Sequence, residues 1–104
     1  MNAKPYVIEV VLFEVNPEYT VEEVKTALTS LNDIVKLYDG FIDRITANNK
    51  EGKYIDLVYW DTMESAKKAA ETIMKDQKSE TIFKVIKSTS VDMYHFNVFN
   101  HFEE

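Results

Sequence analysis

Cysteine is absent from the 104 residues. Disulfides, thiolate metal sites and cysteine nucleophiles are therefore excluded, which fits a reducing cytoplasm. Glycine occurs only twice, too rarely for a phosphate-cradling loop of the usual kind. Positive charge is also scarce: twelve basic against eighteen acidic residues give a net charge of −6. No segment gathers Lys and Arg on one face, Lys67 and Lys68 being the densest pair, so nucleic acid is not an expected partner. No run approaches the roughly 20 apolar residues of a membrane span. The start, MNAKPYVIEVVLFEV, has an apolar run of about seven residues, too short and too strand-like for a secretory signal. A soluble, cytoplasmic protein is the expectation.

What is present is ordinary globular material, 45% hydrophobic and 29% charged, with room for a single domain over residues 1–104. A chain this short buries roughly two thirds of its unfolded surface, so a partner covering further apolar surface would help it.

Val7 to Val15 is β-branched and aromatic, broken only by Glu9 and Glu14. Such a run predicts a central strand, apolar on both faces. Thr20-Val-Glu-Glu23 is a capping box, and Val21, Val24, Leu28, Leu31, Val35 and Tyr38 form the apolar stripe of a first helix. Asp39-Gly40 stops that helix, because glycine accepts a left-handed end. Phe41 to Asn48, the turn Asn49 to Gly52, and Lys53 to Trp60 read as a hairpin. Asp61-Thr-Met-Glu64 reads as a second capping box. It opens a second helix, with Met63, Ala66, Ala70, Ile73 and Met74 as its buried stripe. Residues 77–87 fit a short helix or a strand. Ser88-Thr-Ser90 is most simply a turn, and Val91 to Phe102 a long aromatic-rich last strand.

The order βαββαβ predicts an α+β, ferredoxin-like fold: an antiparallel four-stranded sheet, first strand between third and fourth, with both helices on one face. The other face then lacks intrachain cover. Both alternations are nevertheless apolar, Tyr6, Ile8, Val10 and Leu12 against Val7, Val11 and Phe13, and Ile55, Leu57 and Tyr59 against Tyr54, Val58 and Trp60. An uncovered apolar face of this size marks an interface or a ligand cavity, so a homodimer joined sheet to sheet is expected. Tyr54, Asp56, Val58 and Trp60 share one alternation and are assigned to the face that the partner covers.

Gly40-Phe41-Ile42, and Tyr59-Trp60-Asp61 leading to Glu64, Ala66 and Ala69-Ala70, carry a resemblance over nearly the whole chain. By these residues the chain resembles the dimeric α+β barrel domains of the antibiotic biosynthesis monooxygenase family. The resemblance implies a homodimer whose paired sheets form a barrel, each subunit enclosing a pocket between sheet and helices. It implies, for enzyme members, oxygen added to an activated aromatic substrate with no metal, flavin or other cofactor. A haem-degrading branch uses an Asn on the first strand and a His on the second helix. Here the first strand has Glu9 and no Asn, and the second helix has no His, so only Trp60 carries over, as a pocket wall.

The residues themselves offer further candidates. Glu9 and Asp56 are carboxylates inside apolar strands, and each loses hydration unless paired or protonated. Each reads as a base or polar anchor of raised pKa, or as one half of a salt bridge to Arg44 or a rim residue of the dimer. Arg44 faces Asp56 across the hairpin in one register and the opposite face in the next. His95 and Asn97 share one face of the last strand about 7 Å apart; they could orient a substrate oxygen or move a proton, or be held within the interface. His101 has the same parity but lies roughly 20 Å along an extended strand, too far to share a metal with His95. Trp60, Tyr59, Tyr54, Tyr94, Phe96 and Phe99 line an aromatic pocket or pack the core and interface. Two functions follow. One is a cofactor-independent monooxygenase of a small aromatic or polyketide-like compound, with His95, Asn97 and Glu9 as catalytic candidates and Trp60, Asp56, Tyr54 and Arg44 as substrate contacts. The other is a non-enzymatic dimeric protein that binds a small apolar ligand or serves a stress response.

Overall fold

A computed structural model describes residues 6–103. The amino-terminal stretch weighed above as a signal lies partly outside them. The elements are β1 (Val7–Phe13), α1 (Val21–Ser30), α2 (Asn32–Val35), β2 (Phe41–Asn48), β3 (Tyr54–Trp60), α3 (Met63–Lys75), α4 (Gln77–Phe83), a 3-10 turn (Ser88–Ser90) and β4 (Asp92–Asn97). The sheet is antiparallel in the order β2-β3-β1-β4, which is the ferredoxin-like arrangement with β1 inside.

Register decides the two faces. Val7, Glu9, Val11 and Phe13 lie opposite Trp60, Val58, Asp56 and Tyr54, while Glu9 also lies opposite His95 and Val7 opposite Asn97. Side chains alternate along strands, so these residues share one face, and it is the helix-covered one: Val7, Phe13, Tyr54, Val58 and Trp60 are all buried. The assignment of Tyr54, Asp56, Val58 and Trp60 to a partner-facing side is therefore corrected. Both alternations are apolar, and the pattern alone does not say which one the helices cover. The outer face carries Ile8, Val10, Leu12, Ile45, Leu57, Tyr59, Tyr94 and Phe96; among these, Tyr94 is 48% and Phe96 54% exposed.

The first capping box forms as its residues dictate. Thr20 Oγ1 accepts from the Glu23 amide, and Glu23 Oε1 accepts from the Thr20 amide. The helix expected to run to Tyr38 breaks at Leu31 instead. Arg44 Nη1 donates to the Leu28 carbonyl at 2.7 Å, and a side chain entering the carbonyl ladder is a recognised cause of a break. The second cap is one residue later than expected: Thr62 is the cap of α3 and accepts from the Ser65 amide, while the Asp61 amide donates to the Gly40 carbonyl. Residues 77–83 resolve as helix α4, capped by Asp76. β4 stops at Asn97, short of Phe102, and His101 turns back so that its Nδ1 lies 2.7 Å from the Tyr6 hydroxyl.

Gly40 sits at φ +86°, and a Cβ there would run into Asp61 Oδ1 and the Ser65 side chain. Both effects oppose any side chain at this junction between α2 and β2. Gly40→Ala is expected to lower unfolding stability by roughly 1–3 kcal/mol, read as a shifted urea midpoint at constant m-value.

Two apolar clusters hold the helices on the sheet. One joins Val7, Val35, Val58, Trp60, Ala66, Ala69 and Ile73. Alanine at two of these positions lets α3 approach the sheet. The other joins Phe13, Val24, Leu28, Tyr54 and Val85. They are separate clusters, and the space between them is the cavity described next.

Candidate functional site

The cavity encloses about 310 Å³, at the small end of the roughly 300–1,000 Å³ typical of small-ligand sites. Its floor is the sheet, with Glu9, Val11 and Phe13 from β1, Asp56, Val58 and Trp60 from β3, and Arg44 from β2. Its roof is Leu28, Leu31 and Val35 from the broken first helix, Ala70, Ile73 and Met74 from α3, and Phe83 at the end of α4. Ile86, Ser88, Val91 and Met93 close the remaining side. Met74, expected within a buried stripe, is 69% exposed and Met93 44%. Both also line the cavity, so they mark its mouth, between the end of α3 and the start of β4.

The polar groups of the floor are individually committed. Arg44 holds Asp56 in a two-pronged ion pair, Nε to Oδ1 at 2.9 Å and Nη2 to Oδ2 at 2.8 Å. Its Nη1 donates to the Leu28 carbonyl and to Asn32 Oδ1, both at 2.7 Å. The pair is almost fully removed from water, where planar bidentate geometry is worth most. Arg44 reaches Asp56 diagonally, since Val58 is its direct neighbour and Thr46 that of Asp56. Of the two readings of Asp56, the salt bridge is the one observed.

Glu9 differs. It is buried, and its one bond is from the Trp60 indole, Nε1 to Oε1 at 3.0 Å. No described residue donates to Oε2, which is open to the cavity. Burial raises its pKa from an ordinary 4.5 to about 7, because a carboxylate loses hydration there. The Trp60 bond opposes that rise and the Asp56 charge adds to it. Oε1 must accept from the indole in either state, so the titrating proton belongs on Oε2. A carboxyl of this kind can give or take a proton near neutrality.

The other candidates fall elsewhere. His95 sits on the same sheet face as Glu9, directly opposite it, but outside the cavity wall. Its Nε2 is buried without a partner. Its pKa is lowered by burial and then by the Lys67 charge on α3. Asn97 is exposed at the end of β4. Tyr54 is stacked on Phe13, centroids 5.7 Å apart, within the second cluster. Phe99 is exposed, and Tyr59, Tyr94 and Phe96 lie on the outer face, so of the aromatic set only Trp60 borders the cavity. Met93, Phe83 and Ser88 were missed in the sequence. Met93 shares the parity of His95 and Asn97, and that signal was legible; Phe83 lay in a segment of ambiguous pattern. Among the described residues no group of three or more His, Asp or Glu could hold a metal ion, and no helix is long and apolar enough to cross a membrane.

No family model and no curated protein matches the sequence. Solved structures do match. A variant of SnoaB, a cofactor-independent oxygenase from Streptomyces nogalater, superposes with TM-score 0.73 at 12% identity, over 98% of this chain and 100% of that one. A candidate antibiotic biosynthesis monooxygenase from Bordetella bronchiseptica gives 0.74 at 11%, over 91% and 98%. A dimeric ferredoxin-like protein of unknown function from Thermobifida fusca gives 0.69 at 11%, over 90% and 92%. At such identities the likeness is one of fold, and the chain has the ferredoxin-like α+β architecture that these proteins share.

Proposed function

We propose that the protein is a cytoplasmic homodimer that oxygenates a small aromatic or polyketide-like compound without a cofactor, using Glu9 as its proton acceptor. The observation that carries this reading is Glu9 itself, a carboxyl that titrates near neutrality with one free oxygen in an apolar cavity. Similarity of fold to a cofactor-independent oxygenase supports it.

The chemistry needs only a base and a dry pocket. An anthrone or quinol has an acidic C–H or O–H whose conjugate anion is stabilised by its rings. Glu9 carboxylate takes that proton on Oε2. The anion passes one electron to O₂, the resulting radicals combine, and the carbon gains a peroxy group that Glu9 protonates. Loss of water then converts a CH₂ to C=O, so that CH₂ and O₂ become C=O and H₂O with Glu9 returned to its carboxylate. Apolar walls favour the reaction twice, by holding a flat substrate and by excluding competing water.

Oxygen uptake with a panel of anthrones and quinols tests this. Turnover above buffer that falls by at least about a hundredfold in Glu9→Gln is the expected result. Saturable binding of the same compounds without oxygen uptake would reject the oxygenase and leave the second function, a ligand-binding protein.

The dimer is supported by the outer face. Val10 sits at its centre, flanked by Leu57 and Tyr94, and the exposed Tyr94 and Phe96 need cover. A dimeric neighbour with the same fold points the same way. Light scattering at micromolar concentration is expected to give the mass of two chains. Val10→Asp is expected to weaken association by about a hundredfold or more, through a carboxylate buried without a partner.

A further inference from the structure

Glu9 must be a carboxylate before it can take a proton from substrate, so its own proton has to exchange with solvent, and few polar groups of the cavity could carry it. Trp60 holds Oε1 from one side, Asp56 is locked to Arg44, and the rest of the wall is apolar apart from Ser88. Beside Glu9 on the same face of the sheet stands His95, its direct neighbour across β1 and β4. Cβ atoms of such pairs lie roughly 4.5–5.5 Å apart. Two features of His95 are otherwise unexplained. Its Nε2 is buried and has no hydrogen-bond partner, an arrangement that costs free energy unless something offsets it. The residue is only half-buried and β4 is an edge strand, so the ring lies between the interior and water.

We propose that His95 is the proton relay of Glu9, carrying protons between the buried carboxyl and solvent. Rotation of the His95 side chain toward its cross-strand neighbour brings Nε2 to Glu9 Oε2, where it accepts the proton, and the proton of Nδ1 is released to bulk water. One proton enters and one leaves, and rotation of the ring toward solvent, where Nε2 gives its proton to water as Nδ1 takes one, restores the starting tautomer. The charged groups bordering this route are Glu9 on β1, Lys67 on α3, and Asp56 on β3 with its partner Arg44 on β2. Burial and the Lys67 charge keep the imidazole neutral and able to accept, while Glu9 is held near 7. Because His95 is on the helix side of the sheet, a dimer joined through the outer face leaves its wet edge open.

The relay rests on the reading of Glu9 as proton acceptor, but its test does not require turnover. Trp60 is the single tryptophan of the chain and donates to Glu9, so its fluorescence reports the charge on that carboxyl. A photoacid pH jump from 8 to 6 followed at Trp60 gives the rate at which Glu9 gains its proton. His95→Ala is expected to slow that relaxation at least about tenfold while leaving the equilibrium midpoint of the Trp60 titration nearly unchanged. Free imidazole, which fits the vacated space, restores the rate. His95→Gln, which keeps the volume, is slow and is not rescued. Relaxation in both variants at the parent rate overturns the relay. Slowing that imidazole does not reverse assigns His95 a structural role and also overturns it, as does a Trp60 signal that fails to titrate in the parent. A relay that behaves as expected in a protein that consumes no oxygen rejects the oxygenase alone.

Discussion

Glu9→Gln is expected to yield a protein that is inert toward the oxygenase substrates and, above pH 7, more stable than its parent. The two effects have one cause. Glu9 has a folded-state pKa of about 7 against an ordinary 4.5, so the folded protein binds its proton more tightly than the unfolded chain does. The sign follows from linkage. Glu9 favours the fold fully below about pH 4.5, where it is protonated in both states, and that contribution is lost as pH rises to about 7. Above pH 7 the folded state carries a buried carboxylate, and a rise of this size corresponds to about 3 kcal/mol. Glutamine has the same shape, still accepts from the Trp60 indole through its amide oxygen, and has no charge to desolvate. Its advantage should therefore be absent near pH 4 and grow to about 3 kcal/mol by pH 8, measured as the difference between urea midpoints across that range. The same substitution removes the group placed to accept the substrate proton, and it abolishes the Trp60 titration. A stable and inactive Glu9→Gln variant is what a strained functional carboxyl predicts. A constant difference across pH would show that Glu9 is not the titrating group.

Much of this arrangement was legible in the chain, and what was not had identifiable reasons. Thr20 and Glu23 specify a helix start by local chemistry, and it appears where the residues put it; Gly40 takes its left-handed conformation, but the helix has already ended at Val35, short of Asp39-Gly40. The order of strands follows from connection rules that need no side-chain detail. The face of the sheet did not follow, because Val7, Val11 and Phe13 are no more apolar than Ile8, Val10 and Leu12, and a pattern equally apolar on both sides leaves burial to be decided by the helices. That one ambiguity carried Trp60, Asp56 and Tyr54 to the wrong side. It also hid the cavity, which exists because the clusters around Trp60 and Phe13 do not merge. Glu9 and Asp56 were both conspicuous as carboxylates in apolar strands. Only the geometry separates them: Asp56 has a guanidinium diagonally across the hairpin, Glu9 an indole and an open oxygen. The break at Leu31 depends on Arg44, a residue on another element, and no local pattern announces it.

Arg44→Met is expected to be the most destabilising of these substitutions. The Arg44 guanidinium makes four hydrogen bonds, two to Asp56 and one each to the Leu28 carbonyl of α1 and Asn32 of α2. Removing one partner of a buried ion pair leaves the other charge without hydration or compensation, a loss of about 3–5 kcal/mol. Against the roughly 5–15 kcal/mol that holds a domain folded, that is a large fraction. The double variant Arg44→Met, Asp56→Leu is expected to recover most of the loss, since replacing both charges by packed apolar groups is near neutral while breaking the pair is not. Urea denaturation of the two single variants and the double variant measures the coupling. Recovery in the double variant also isolates Glu9. Asp56 is one of the influences that raise its pKa, but burial is the larger. The Trp60 titration in the double variant should therefore keep a midpoint above the ordinary carboxylate range. If the midpoint instead returned to that range, the charge on Asp56 rather than the dry cavity would be what holds the proton on Glu9.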